Sequence, residues 1–193
     1  KVTPIFEWHV TVDCSEDEYK KICERLGVRP LIIEMDTGSD YKTQMMTRKF
    51  HKGSEQDAKR EMDFIASQFS SVVRRKLEMI IGKETTIPDH LYQEFHAKFE
   101  VPLDKVYHFL LQVSELGGHS SRNSLKLDAG SGLVYHFATA RDLDHIRRIV
   151  FELKHQYNLV STIRECVVFD DNQGMDSNWS CSECVIKNVN IEE

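Results

Sequence analysis

Two histidines stand in matching strand-like stretches, and imidazole is the side chain best suited to moving a proton near neutral pH. His9 lies in Ile5-Phe6-Glu7-Trp8-His9-Val10-Thr11-Val12. His96 lies in Leu91-Tyr92-Gln93-Glu94-Phe95-His96-Ala97-Lys98-Phe99. Superposing His96 on His9 sets Glu94 on Glu7, Phe95 on Trp8 and Lys98 on Thr11. Both stretches alternate polar and apolar residues, the period of a strand with two unlike faces. The polar face carries His9, Thr11, His96 and Lys98 as candidate catalytic residues. Glu7, Glu94, Gln44, His136, Lys76 and Arg164 are the candidate ligand-binding residues on the same face.

These residues need strands to hold them, and the chain supplies strands and helices in a repeating order. Ile5 to Val12 reads as a strand. Ser15 with Glu18 three residues on has the form of a capping box, so a helix is expected from Glu16 to Leu26, stopped by Gly27. Strands follow at Leu31–Met35 and Tyr41–Thr47, around the turn residues Asp36-Thr37-Gly38-Ser39. A second helix, capped by Ser54, is expected over Glu55–Phe69, and a fourth strand over Val73–Ile81. The second half repeats the order. It gives strands at Leu91–Val101, Asn123–Leu127, Leu133–Thr139 and Ile163–Phe169, with helices at Pro102–Leu116 and Leu143–Tyr157. Asp128-Ala129-Gly130-Ser131 answers the first hairpin turn.

The expected fold is therefore α+β: a tandem duplication of a ferredoxin-like βαββαβ unit, with antiparallel sheets and helices on one face. Residues 1–82 form the first repeat, 83–90 the linker and 91–170 the second repeat. Residues 171–193 are a polar C-terminal tail. On this reading the two polar sheet faces meet across a groove, which brings His9 opposite His96.

Two short motifs resemble known families. His9-Val10-Thr11, a His-x-Thr on a strand flanked by apolar residues, resembles the motif of the two-histidine phosphoesterases, which are built from two related lobes around a cleft. That resemblance implies hydrolysis of cyclic phosphates or RNA ends, with His9 and Thr11 as one half-site. The second unit offers His96-Ala97-Lys98, with lysine where that family has a hydroxyl. Trp179-Ser180-Cys181-Ser182-Glu183-Cys184, followed by Asn188, is similar to the opening of the Ran-binding-protein-type zinc fingers. It implies half of a tetrahedral zinc site at Cys181 and Cys184, and no second cysteine pair follows.

Composition narrows the function classes. The chain has 193 residues, 40% hydrophobic and 29% charged, with a net charge of −6. That balance disfavours broad nucleic-acid binding through phosphates. No apolar run reaches the roughly 20 residues of a membrane helix, so no membrane partner is expected. The five cysteines form no even framework, which suits reduced thiols and a cytoplasmic setting. No Gly-rich phosphate loop and no Gly-x-Ser-x-Gly elbow occurs. The reading that follows is a soluble binding module for a small molecule or a protein partner. It would use the groove between repeats or a sheet edge, edge pairing permitting a homodimer, and no cofactor is expected apart from zinc at the tail. The alternative is a phosphodiesterase-like hydrolase with the paired histidines in its cleft.

Overall fold

In the computed structural model, which describes residues 2–36, 41–123 and 132–176, eight strands close into one antiparallel barrel. The elements in chain order are β1 (Ile5–Val12), α1 (Glu16–Leu26), β2 (Leu31–Asp36), β3 (Tyr41–Lys52), α2 (Glu55–Ser67) and β4 (Val72–Ile80). They continue with β5 (Tyr92–Pro102), α3 (Val106–Glu115), β6 (His119–Asn123), β7 (Leu133–Ala140), α4 (Leu143–Leu153) and β8 (Asn158–Asp170). Around the barrel the strands run β1-β3-β2-β6-β7-β5-β8-β4.

This closure overturns the expected tandem pair of ferredoxin-like units with open sheets. β4 pairs antiparallel with β8, and β2 with β6, so strands from the two halves of the chain zip together at both seams. The physical reason is edge satisfaction. Separate four-stranded sheets leave rows of unpaired N–H and C=O groups, and a closed barrel pairs them. The sheet edge expected as a binding or dimerisation surface is used up inside the fold. The polar face is likewise not an open groove between two units. It is the inner wall of the barrel.

Helix positions follow from local chemistry. The Ser15 side chain accepts from the Glu18 backbone N–H, and Ser54 accepts from that of Asp57. Asp142 caps α4 by accepting from the N–H groups of Asp144 and His145. Gly27 ends α1 with φ of 68°, a left-handed conformation that favours glycine. Gly118 is set by space: a Cβ there would lie 2.6 Å from Ile149 Cδ1.

The apolar cores lie between the barrel wall and the helices. Phe6, Trp8, Val10 and Val12 of β1 pack with Tyr19, Met62 and Phe69 of the first half. Phe99, Val101 and Ala138 pack with Phe109, Ile149 and Leu153 of the second. Period-two alternation then turns Glu7, His9 and Thr11 to the barrel interior. No helix among the described residues is long and apolar enough to cross a membrane. Cys14, Cys23 and Cys166 are free thiols. Cys181, Cys184 and both hairpin turns, Asp36-Thr37-Gly38-Ser39 beyond its first residue and Asp128-Ala129-Gly130-Ser131, lie outside the described residues.

Candidate functional site

The barrel encloses a cavity of about 280 Å³, at the small end for an organic ligand. An eight-stranded barrel is about wide enough for its own side chains or one small ligand. The wall mixes two kinds of residue. Glu7, His9, Glu94, His96 and Glu165 form an ionisable cluster. Ile33, Met35, Met46, Phe137 and Ile163 supply apolar surface. Phe50 and Ile163, which line the cavity yet stay 56% and 37% exposed, mark where it meets solvent.

β1 and β5 place the histidines, and the last strand of each half adds a carboxylate. His9 Nε2 lies 2.6 Å from Glu7 Oε1 and 3.9 Å from Glu78 Oε2. His96 Nε2 lies 3.7 Å from Glu165 Oε2 and 3.9 Å from Glu94 Oε2. Glu78 belongs to both groups. One donor atom each from Glu7, His9 and Glu78 falls within 4.8 Å of the others, and the same holds for Glu78, His96 and Glu165. Lys76 compensates part of this charge. Its Nζ sits 2.7 Å from Glu78 Oε1 and 2.9 Å from Glu94 Oε1.

The electrostatics follow from burial set against these partners. Burial would raise the Glu7 carboxyl, but the charges of His9 and Arg48 outweigh it and hold the pKa down at about 2. Burial opposes ionisation of Glu94 in the same way, and Lys76 and His96 bring it to about 2. For His96 burial wins over the nearby glutamates and lowers the pKa. His96 Nδ1 lies 2.7 Å from Thr139 Oγ1. With Nδ1–H donated to that hydroxyl, Nε2 keeps its lone pair and faces Glu165.

One end of the chamber is tied shut by ion pairs. Arg74 donates to Asp170 and, at 2.7 Å, to Asp176, which also takes a hydrogen bond from Arg141 at 2.9 Å. Asp176 sits on a short 3-10 turn after β8 and lines the cavity. These contacts fasten the chain after the last strand to β4.

The structure sorts the sequence candidates. Glu7, His9, Thr11, Gln44, Lys76, Glu94, His96 and Lys98 all line the cavity. His136 does not. It is fully buried on the helix side of β7, its ring 5.6 Å from that of Phe109. There burial pushes its pKa down to about 4. Arg164 also points outward, donating to Gln93 and lying over the Phe95 ring. Lys98 stacks its Nζ over Tyr135, 4.4 Å from the ring centroid, and Thr139 rather than Lys98 supplies the hydroxyl beside His96. The phosphoesterase reading gains no support, because a phosphate would have to enter among Glu7, Glu78, Glu94 and Glu165, all at most 3% exposed.

Glu78, Glu165, His119, Arg48 and Asp176 belong to or border the chamber and escaped the sequence reading. A signal for two of them was present. Glu94, His96 and Glu165 follow Glu7, His9 and Glu78 at one constant offset along the chain.

No family model and no curated protein matches the chain. Among solved structures it is similar to a putative chlorite dismutase at 9% identity and TM-score 0.29, covering 86% of this chain and 96% of that one. A putative monooxygenase from Fusobacterium nucleatum is matched at 10% identity and TM-score 0.28, covering 89% and 95%. A heme-binding protein from Thermus thermophilus is matched at 12% identity and TM-score 0.29, covering 87% and 92%. Likeness at this level carries no argument about ligand or activity.

Proposed function

We propose that the chain is a binding protein for a small organic molecule held inside the barrel. The observation that carries this reading is the cavity itself. It joins an ionisable wall of Glu7, His9, Glu94 and His96 to an apolar wall of Met35, Met46, Phe137 and Ile163. Convergent polar groups set in an apolar chamber are the usual anatomy of a ligand site. The chemistry of the wall selects the ligand. Carboxylates and a neutral imidazole accept hydrogen bonds, so the polar end of the guest is a donor such as an amine or hydroxyl. An anionic end placed against Glu7, Glu94 and Glu165 meets like charge and is disfavoured; of the cations that line the chamber, Arg74, Lys76 and Arg122 are already held by Asp170, Glu94 and Glu34. Methionines adapt to irregular apolar shapes and suit the body of such a guest.

A matched panel of aryl-alkyl amines, alcohols and carboxylates tests this, with binding followed by thermal shift. Amines and alcohols are expected to stabilise wild type. Filling the opening with Ile163→Trp is expected to abolish that effect while the variant stays folded. Equal stabilisation of wild type and Ile163→Trp, or a preference for the carboxylates, overturns the reading.

A further inference from the structure

Four buried carboxylates, Glu7, Glu78, Glu94 and Glu165, cluster at the cavity wall. Lys76 touches Glu78 and Glu94. Among the described residues, the ion-pair partner recorded for Glu165 is His96, at 3.7 Å. Glu165 is 3% exposed and Glu78 fully buried, and no protein donor among those residues hydrogen-bonds Glu165 Oε2 or Glu78 Oε2. A carboxylate oxygen buried without a donor is costly, by roughly 1–3 kcal/mol or more for a charged group. Sites that retain such oxygens commonly hold a cation.

The two carboxylate–histidine triads differ in what their imidazoles already do. His9 Nε2 is engaged by Glu7 at 2.6 Å, a contact that a shared proton satisfies. His96 is oriented differently. Thr139 occupies its Nδ1 side at 2.7 Å, which leaves Nε2 facing the open oxygens. A metal-bound histidine donates its far N–H to an acceptor that fixes the ring, and Thr139 Oγ1 is placed to be that acceptor.

From this geometry we infer that Glu78, His96 and Glu165 bind one divalent cation inside the barrel. The donor set names the class. Two carboxylates with one imidazole and no thiolate suit Mn²⁺, Fe²⁺ or Zn²⁺. The three donor atoms lie within 4.8 Å of one another. Bonds to zinc of roughly 2.0–2.2 Å need them closer, a movement within the reach of side-chain torsions. Glu94 stays with Lys76, and Glu7 stays with His9. A guest hydroxyl, which carries a lone pair as well as a proton, could complete the coordination of such an ion.

The inference rests on the chamber being a binding site, and the experiment separates the two. Mn²⁺ is the probe, because thiolates at Cys181 and Cys184 do not favour it. The full chain carrying Cys181→Ser and Cys184→Ser is titrated with Mn²⁺, and free ion is followed by electron paramagnetic resonance. One ion per chain is expected. Glu165→Gln and His96→Gln are each expected to weaken binding by about a hundredfold or more, since even outer-shell changes cost about 10–100-fold. His108→Gln, at an exposed position of α3, is expected to keep the wild-type affinity, and His9→Gln is titrated beside it to tell the two triads apart. Circular dichroism checks that each variant is folded, and Glu165→Gln relieves a buried charge, so it should fold if either does. Absence of Mn²⁺ binding by folded wild type overturns the inference. So does wild-type affinity in Glu165→Gln and His96→Gln, or loss of affinity in His9→Gln alone. Retained stabilisation by amines in the absence of Mn²⁺ binding leaves the organic-ligand reading standing and removes only the cation.

Discussion

Replacing Lys76 by Met keeps most of the length of the side chain and deletes the cation between Glu78 and Glu94. The Nζ atom lies 2.7 and 2.9 Å from those carboxylates, and the side chains are 10%, 0% and 4% exposed. Water therefore cannot take over the lost interaction. Breaking a buried ion pair by removing one partner costs about 3–5 kcal/mol. For a chain of this size each kcal/mol moves Tm by about 2–4 °C, so Tm should fall by roughly 6–20 °C. The pH dependence has a definite sign. Glu94 is held at about 2 in the fold against an ordinary value of 4.5. Its contribution is fully present above pH 4.5 and is lost as pH falls toward 2. Without Lys76 that depression weakens, so the stability gap between wild type and Lys76→Met should be widest near neutral pH and narrow below 4.5. Urea denaturation in EDTA at a series of pH values measures both. A loss under about 1 kcal/mol at pH 7, typical of an exposed pair, or a gap that widens in acid, would refute the reasoning.

Two further outcomes follow from groups outside the chamber. His136 titrates at about 4 in the fold against 6.5 ordinarily, so the unfolded chain takes up the proton first. Its burial should cost about 3 kcal/mol of stability as pH falls from 6.5 to 4, with no effect above that window, and His136→Leu should flatten this part of the pH profile in urea denaturation. Gly118→Ala should lose about 1–3 kcal/mol by the same assay, since the new methyl meets Ile149 Cδ1 at 2.6 Å and Val113 Cγ1 at 3.0 Å.

The sequence discloses elements better than their assembly. β1 was legible from strict alternation, and α1 and α2 from Ser15, Ser54 and Gly27, because those signals are local. Barrel closure was not, because the β4–β8 and β2–β6 seams join segments far apart in the chain. That nonlocal pairing turned a face read as open into an enclosed one, where Glu7 and Glu94 are 3% exposed. Strand phase failed where an apolar residue faces the chamber. In β8, Ser161, Ile163 and Glu165 line the cavity, so reading the polar Arg164 as inward put the strand one residue out of phase. In β7 the same one-residue slip exchanged His136 for Phe137. β6 starts at His119 rather than Asn123, which hid that histidine. Glu78 was within reach, two residues from Lys76 on one face, and only its partnership with both histidines needed coordinates.

The claim that the barrel interior is the binding site is tested most directly by histidine side-chain NMR during titration with an aryl-alkyl amine that stabilises the protein. The ¹⁵N signals of His9 and His96 should move together and saturate, and in Ile163→Trp they should not move. Movement of His96 without His9, or of neither, with changes around Val150 and Phe151 of α4, would place the ligand in the outer groove, which His96 and Ile163 also line, and contradict the account.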